Sequence, residues 1–289
     1  MIYRQRPSWR WLLMSALVIL SLYLSNFILL AERSFLGCGG EVVAIANATY
    51  EARISELVNQ ERATLGLPPM KINHELANAA RYHAADMSQD DYFAHQTHDR
   101  QEEGLVLICE WAERIKGYYP GATALAENMA RSDQSPESVM AGWMSNSEHR
   151  ANILGNYREV GVGYYDQYWV QNLGERPDSY PVIINGEAQQ TDSPAVTLYL
   201  YGDWQQMRLR NNDGQWSEWQ EFHHDVNWTL DDMPGEQRVD VELGNGTSTV
   251  ISSDTIWLTG VATPHATAIP TPFPTAPATT AIYLPTIQR

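Results

Sequence analysis

His95, Glu127 and His149 are the side chains of this chain whose types best suit chemistry, and three separate segments supply them. His95 closes the run Tyr92-Phe93-Ala94-His95. Glu127 stands between Ala126 and Asn128, and His149 lies in Ser147-Glu148-His149-Arg150, shortly after Trp143. Two neutral imidazoles and one carboxylate form a divalent-metal set that leaves a position for water. On a bound water, Glu127 is then the candidate general base of a metal-dependent hydrolase. Without a metal, Glu127 would hold an imidazole in one tautomer, as in hydrolytic triads. A structural reading stands beside both: the histidines are hydrogen-bonded in a polar core, with Asn128 and Arg150 knitting helices to sheet.

Other chemistries lack their residues. His74-Glu75 opens like a zincin helix, but Asn78 stands where the second histidine belongs. No G-x-S-x-G, P-loop or G-x-G-x-x-G occurs where chemistry would need it. Glu110 beside Cys109 disfavours a thiolate, which argues against a cysteine nucleophile.

The elements that must position these groups are helical first. Ile54, Leu57, Val58 and Leu65 share one face at helical spacing, and Gly66-Leu67-Pro68-Pro69 stops that helix. A second helix capped by Asn73 carries Leu76, Ala79, Ala80, His83, Ala84 and Met87 as a stripe, whose alanines imply close packing. A third is expected from Glu110 to Lys116, ending at Gly117. A fourth starts at Ser135-Pro136 and buries Val139 and Trp143. Glu127 falls in a loop, and His149 opens a short helix capped by Ser147, with Glu148 at its positive end. Val160–Tyr165 and Tyr168–Leu173 follow as a hairpin around Asp166-Gln167. Helices first and a hairpin last make an α+β domain, with helices around an antiparallel sheet.

From Tyr180 the period changes. Val196, Leu198 and Leu200 alternate with Thr197, Tyr199 and Tyr201, a two-residue repeat. Short strand candidates recur at Met207–Leu209, Val239–Leu243, Thr249–Ile251 and Ile256–Leu258, which suggests an Ig-like or fibronectin-like β-sandwich. Trp204, Trp216 and Trp219 read as its core packing, with an aromatic ligand platform as the alternative.

The ends speak to location. Arg4, Arg6 and Arg10 precede Trp11–Leu30, a run without charge. At ~1.5 Å per residue such a run spans the ~30 Å hydrocarbon core of a bilayer. The basic side stays cytoplasmic and everything after Glu32 lies outside. A cleaved signal peptide, giving a secreted protein, is the rival; a lipid anchor on Cys38 is a third option. Thr263 to Ala281 alternates Thr, Pro and Ala, which predicts an extended tail. It ends in Ile282-Tyr283-Leu284-Pro285-Thr286-Ile287-Gln288-Arg289, either a frayed terminus or a short docking signal. The segments are thus 1–43 (cytoplasmic tip, signal anchor and stalk), 44–176 (the α+β domain), 180–260 (the β-sandwich) and 261–289 (the tail). A net charge of −16 sits on the outer part, which excludes nucleic-acid partners. Cys38 and Cys109 are the only cysteines, able to pair in an oxidising compartment but too few for a disulfide scaffold.

Several ordered motifs carry a family resemblance. They are Asn59 with Arg62, Ala80 with Ala84-Ala85-Asp86-Met87, Tyr92-Phe93-Ala94-His95, Arg114-Ile115-Lys116 and Ala126-Glu127-Asn128. Trp143 then leads into Ser147-Glu148-His149-Arg150-Ala151-Asn152-Ile153-Leu154, Gly161-Val162-Gly163 and Trp169-Val170-Gln171. From about Ile54 to Gly174 the chain resembles a bacterial CAP (SCP-like) domain. The resemblance implies a three-layer α-β-α sandwich with a central cavity. In many members two histidines and two glutamates line that cavity and bind a divalent cation such as zinc. By motif position His95, Glu127 and His149 are three of these four. The place of the fourth, three residues after the helix tryptophan in eukaryotic members, is held by Asn146, which implies a weakened or altered metal site. Relatives bind sterols, lipids or protein partners, and proteolysis has been suggested for some. The expectation for this chain is a membrane-anchored surface protein binding a lipid, polysaccharide or protein ligand. The alternatives are a metal-dependent hydrolase of peptides or envelope polymers and a purely adhesive module.

Overall fold

Asn47 starts the first helix by accepting the Tyr50 N–H at 3.1 Å. In the computed structural model, which describes residues 35–260 and the strand 282–288, α1 then runs over Ala48–Thr64. The apolar run 11–30 and the tail residues 261–281 lie outside the described residues. Among the described residues no helix is long and apolar enough to cross a membrane.

After β1 (Lys71–Ile72), Asn73 caps α2 (His74–Asp90), its Oδ1 accepting from Glu75 and Leu76. A two-stranded flap, β2 (Thr97–Gln101) and β3 (Gly104–Cys109), leads to α3 (Trp111–Tyr118), which continues through Gly117 rather than stopping there. Next come β4 (Ala124–Arg131), α4 (Pro136–Ser145) and α5 (Ser147–Ile153), then β5 (Glu159–Tyr165) and β6 (Tyr168–Glu175). Two readings are corrected here. Glu127 sits in the middle of a strand, not a loop, and Asn146, not Ser147, caps α5.

Eight further strands follow up to residue 260. They are β7 (Val182–Ile184), β8 (Gln190–Thr191), β9 (Ala195–Leu200), β10 (Gln206–Asn211), β11 (Gln220–Glu221), β12 (Asp225–Thr229), β13 (Gly235–Gly244) and β14 (Thr249–Leu258). Gln190–Thr191 and Gln220–Glu221 are two-residue bridges, while the two short candidates after Gly246 are one continuous strand. After residues 261–281, β15 (Ile282–Gln288) ends the described chain.

The central sheet has the order β1-β5-β6-β4-β15, antiparallel except for the β1–β5 pair. Its two faces are covered by different helices. Ala126, Ala130, Val160, Val162, Trp169 and Leu173 pack with α1, α4 and α5. On the other face Leu125, Met129 and Val170 pack with α2 and α3. This is an α-β-α sandwich in which Trp143 and Trp169 are fully buried, each indole N–H donating to a main-chain carbonyl.

The second half forms two sheets, β11-β10-β13-β14-β8 and β12-β9-β7, with one apolar core between them. Trp204 packs against that core, but Trp216 and Trp219 do not. They lie outside it, stacked with the guanidinium groups of Arg208 and Arg210 at 4.5–5.1 Å. Gly37–Arg289 forms one compact unit, and Cys38 is bonded to Cys109 within it.

Candidate functional site

Successive residues of a strand face opposite ways, and on β4 this alternation decides the site. Glu127 points with Leu125 and Met129 towards α2 and α3. Asn128 points with Ala126 and Ala130 towards α4 and α5.

On the first face Glu127 is completely buried. Its Oε1 accepts from His95 Nδ1 at 2.8 Å, and its Oε2 accepts from the Arg114 guanidinium at 2.5 Å. Arg114, equally buried on α3, also donates to the His95 carbonyl at 2.9 Å and to Thr97 Oγ1 at 2.8 Å. One guanidinium thus fixes the carboxylate and the turn that carries the imidazole. Burial alone would push the Glu127 carboxyl up, but Arg114's charge and the bond from His95 outweigh it and hold the pKa down to about 2. A carboxylate accepts only, so His95 donates through Nδ1 and presents a lone pair at Nε2. That Nε2 is buried and has no hydrogen-bond partner among the described residues. Behind it, His83 Nε2 donates to the Ala94 carbonyl at 2.9 Å. Burial, reinforced by Arg114's charge, pushes the pKa of His83 well below the usual range and keeps the ring neutral.

On the second face His149 is fully buried on α5. Its carbonyl accepts from Asn128 Nδ2 at 3.3 Å, and Asn128 is tied further to Gln171 at 2.9 Å and Asn152 at 2.8 Å. Asn146 is engaged as the helix cap, accepting from Glu148 and His149 N–H groups at 2.9 and 3.1 Å.

The fold therefore brings His95 and Glu127 into contact but places the helix of His149 on the other side of the sheet. Among the described residues only Asp86, Asp90 and Asp99 bring three ligand atoms within 4.8 Å of one another. Those three brace the turn below His95. Asp86 accepts from the Tyr92 hydroxyl, Asp90 from the Arg100 N–H at 2.6 Å and Asp99 from the Gly37 N–H at 3.2 Å. Burial pushes Asp86 up to about 7, which lets it carry a proton beside two other carboxylates.

The residues present do not fit a His95-Glu127-His149 metal centre. Both Glu127 oxygens are engaged, and a cation there would have to displace or oppose a buried guanidinium. The same pairing disqualifies Glu127 as a base near neutral pH, since a group held at about 2 has little affinity for a proton. What it does here is hold His95 through a hydrogen bond at Nδ1. Arg114 and His83 are the participants that spacing alone did not single out. A lone arginine on the apolar stripe Trp111, Ala112 and Ile115 was the available signal for the first. His83 was hidden in the α2 stripe.

A separate cleft of about 880 Å³ lies away from these residues, where Asn59, Pro68 and Pro69 meet Ile183, Tyr199 and His224.

Residues 55–173 match CAP, the Cysteine-rich secretory protein family. Over those residues the chain carries a CAP domain of the bacterial kind. It is similar to YkwD of Bacillus subtilis, 33% identical over 129 residues (44% of this chain, 47% of the relative). It is also similar to the membrane protein YlbC of the same organism, 30% identical over 135 residues (44% of this chain, 35% of the relative). The chain thus spans less than half the length of either relative. Among solved structures, it resembles an extracellular SCP-domain protein from Bacillus anthracis, with a TM-score of 0.39 and 26% identity, covering 44% of this chain and 40% of that one. A cysteine-rich secretory protein from Staphylococcus aureus has a TM-score of 0.38 and 18% identity, covering 47% and 42%.

Proposed function

We propose that this chain is an extracytoplasmic CAP-domain protein that binds a ligand or partner at β4 and does not hydrolyse it. The observation that carries this reading is the engagement of both Glu127 oxygens by Arg114 and His95. Held in that way, Glu127 itself is neither a base nor a nucleophile. What the arrangement offers is one oriented imidazole whose buried Nε2 has no partner among the described residues, a group that a bound ligand can engage.

Location outside the cytoplasm is supported by the Cys38–Cys109 bond, which belongs to an oxidising compartment. The names of the relatives, one a membrane protein and one extracellular, agree with it. The charge-free run 11–30 is read as the anchor. Residues 44–176 and 180–260 are read as two domains, the second Ig-like in having two sheets around one core. The opposing reading is a metal-dependent hydrolase acting on peptides or envelope polymers.

The test is turnover of casein and of purified cell-wall polymer, with and without added zinc, by the intact chain and by His95→Ala. No cleavage above the variant is expected. Cleavage by the intact chain that zinc enhances and His95→Ala abolishes would replace binding by hydrolysis. Calorimetric titration with zinc alone should likewise show no tight site that depends on both His95 and His149.

A further inference from the structure

β4 is the last strand of the CAP sheet, and what lies along its free side is β15. The pairing is antiparallel and complete, from Ile282 opposite Arg131 to Gln288 opposite Leu125, with Thr286 opposite Glu127 and Pro285 opposite Asn128. β15 also lies against α5, the helix of His149. The seven residues therefore run alongside the strand of Glu127 and against the helix of His149.

The physics of that edge explains why something must lie there. Leu125 to Ala130 of β4 are buried with β15 in place, and without a neighbour the outward N–H and C=O groups of alternate residues would lose their ladder partners. A strand added from outside satisfies them through its main chain, whatever its sequence, and side-chain pockets on either face then select among strands. A proline is tolerated in such an added strand because the outermost strand of a sheet has one unpaired side. Residues 261–281 tether β15 to β14, and a tethered strand meets its site at high effective concentration, which disfavours an untethered competitor.

We propose that the outer edge of β4 is an acceptor site for one extended peptide strand, that its resident occupant is this chain's own Ile282–Gln288, and that a foreign extended peptide is the ligand class admitted when the resident strand leaves. The last clause rests on the binding reading given above.

The experiment compares amide hydrogen exchange across 125–131 in the full chain, in a chain lacking residues 282–289, and in the full chain carrying Tyr283→Pro with Thr286→Pro. The proline variant keeps the segment attached but breaks the ladder. Both altered chains should exchange alternate β4 amides faster, by about tenfold or more, while β5 and β6 keep their protection. A labelled synthetic peptide of residues 282–289 should bind the shortened chain in the micromolar range and restore the protection. The same peptide N-methylated at alternate residues should not bind, and the full chain should take up the labelled peptide far more weakly. Unchanged β4 exchange in both altered chains, with no peptide uptake by the shortened one, overturns the acceptor site and leaves binding through His95 standing. Uptake of the chain's own peptide that no unrelated extended peptide competes away has the opposite meaning. β15 is then a structural clasp, and it is the ligand class, with the binding reading beneath it, that falls.

Discussion

Glu127 owes its character to Arg114. The two meet with neither exposed to solvent, so each is the other's compensation for leaving water. Replacing Glu127 by Gln keeps the shape but leaves the guanidinium buried without its counter-charge, a change expected to lower stability by about 3–5 kcal/mol. The pH dependence gives a second readout. With its pKa held at about 2 against an ordinary 4.5, Glu127 contributes stability that is fully present above about pH 4.5 and is lost as pH falls towards about 2. Urea melts of the parent should therefore show a falling acid limb of about 3 kcal/mol over that window. In Glu127→Gln this limb should flatten, and an unchanged acid limb would mean that the ion pair contributes nothing. His95→Ala should cost less, since it removes one hydrogen bond and leaves the Arg114 pair intact, about 1–2 kcal/mol by the same melts.

At the scale of elements, two glycines set how closely α2 lies on the sheet. A Cβ at Gly161 would meet Ala77 N at 2.1 Å, and one at Gly163 would meet Arg81 N at 2.2 Å, so the helix backbone rests directly on β5. Gly161→Ala or Gly163→Ala must push α2 away, with an expected loss of about 1–3 kcal/mol or more. Gly117→Ala on α3 meets nothing within 4 Å and should be neutral or gain up to about 1 kcal/mol. Equal melting temperatures for Gly163→Ala and Gly117→Ala would refute this account of the Gly161-Val162-Gly163 motif. The alanine-rich stripe of α2 was legible in the sequence for the same reason, because small residues every three to four positions have a clear helical period. β4 was not legible. Ala124-Leu125-Ala126-Glu127-Asn128-Met129-Ala130 has no β-branched residue, and both of its faces are buried, which removes the alternation that marks a half-exposed strand. The candidate residues could be named from their types. That the helix of His149 packs on the face of Asn128 and not of Glu127 depended on β4 being a strand, which no local pattern showed. The pairing of β15 with β4 lay further beyond reach, since it joins segments separated by the whole second half of the chain.

At the scale of the whole molecule, Lys71 carries the ion pairs between the two halves of Gly37–Arg289, beside hydrogen bonds such as Asn59 to the Gly186 carbonyl and Tyr201 to the Pro69 carbonyl. Lys71, on the short strand β1, reaches Glu187 at 2.9 Å and also pairs with Asp254 of β14, while Glu187 accepts the Ile72 N–H at 3.0 Å and Asp254 accepts that of Ile184 at 2.7 Å. Both carboxylates are nearly buried, with side chains 5% and 8% exposed, so one cation serves two acids at the seam. Those acids outweigh burial at Lys71 and hold it charged. At Glu187 burial, helped by the charge of Asp254, pushes the pKa up to about 7 despite Lys71. The sign is opposite to that of Glu127. A carboxyl raised from 4.5 to about 7 favours the folded state in its protonated form, so this part of the stability is present below about pH 4.5 and declines as pH climbs towards 7. Replacing Lys71 by Met removes the only opposing charge in the trio, and the two carboxylates then face each other across the seam. The expected loss is about 3 kcal/mol at neutral pH, and it should shrink in acid, where Glu187 can take up a proton. Melting curves of the parent and Lys71→Met at about pH 5 and about pH 8 check this directly. The gap in melting temperature should be wider at the higher pH, and limited proteolysis there should cut between Glu175 and Val182, where the chain passes from the CAP sheet to β7. A gap of equal size at both pH values would show that Lys71 holds the seam by packing rather than by charge.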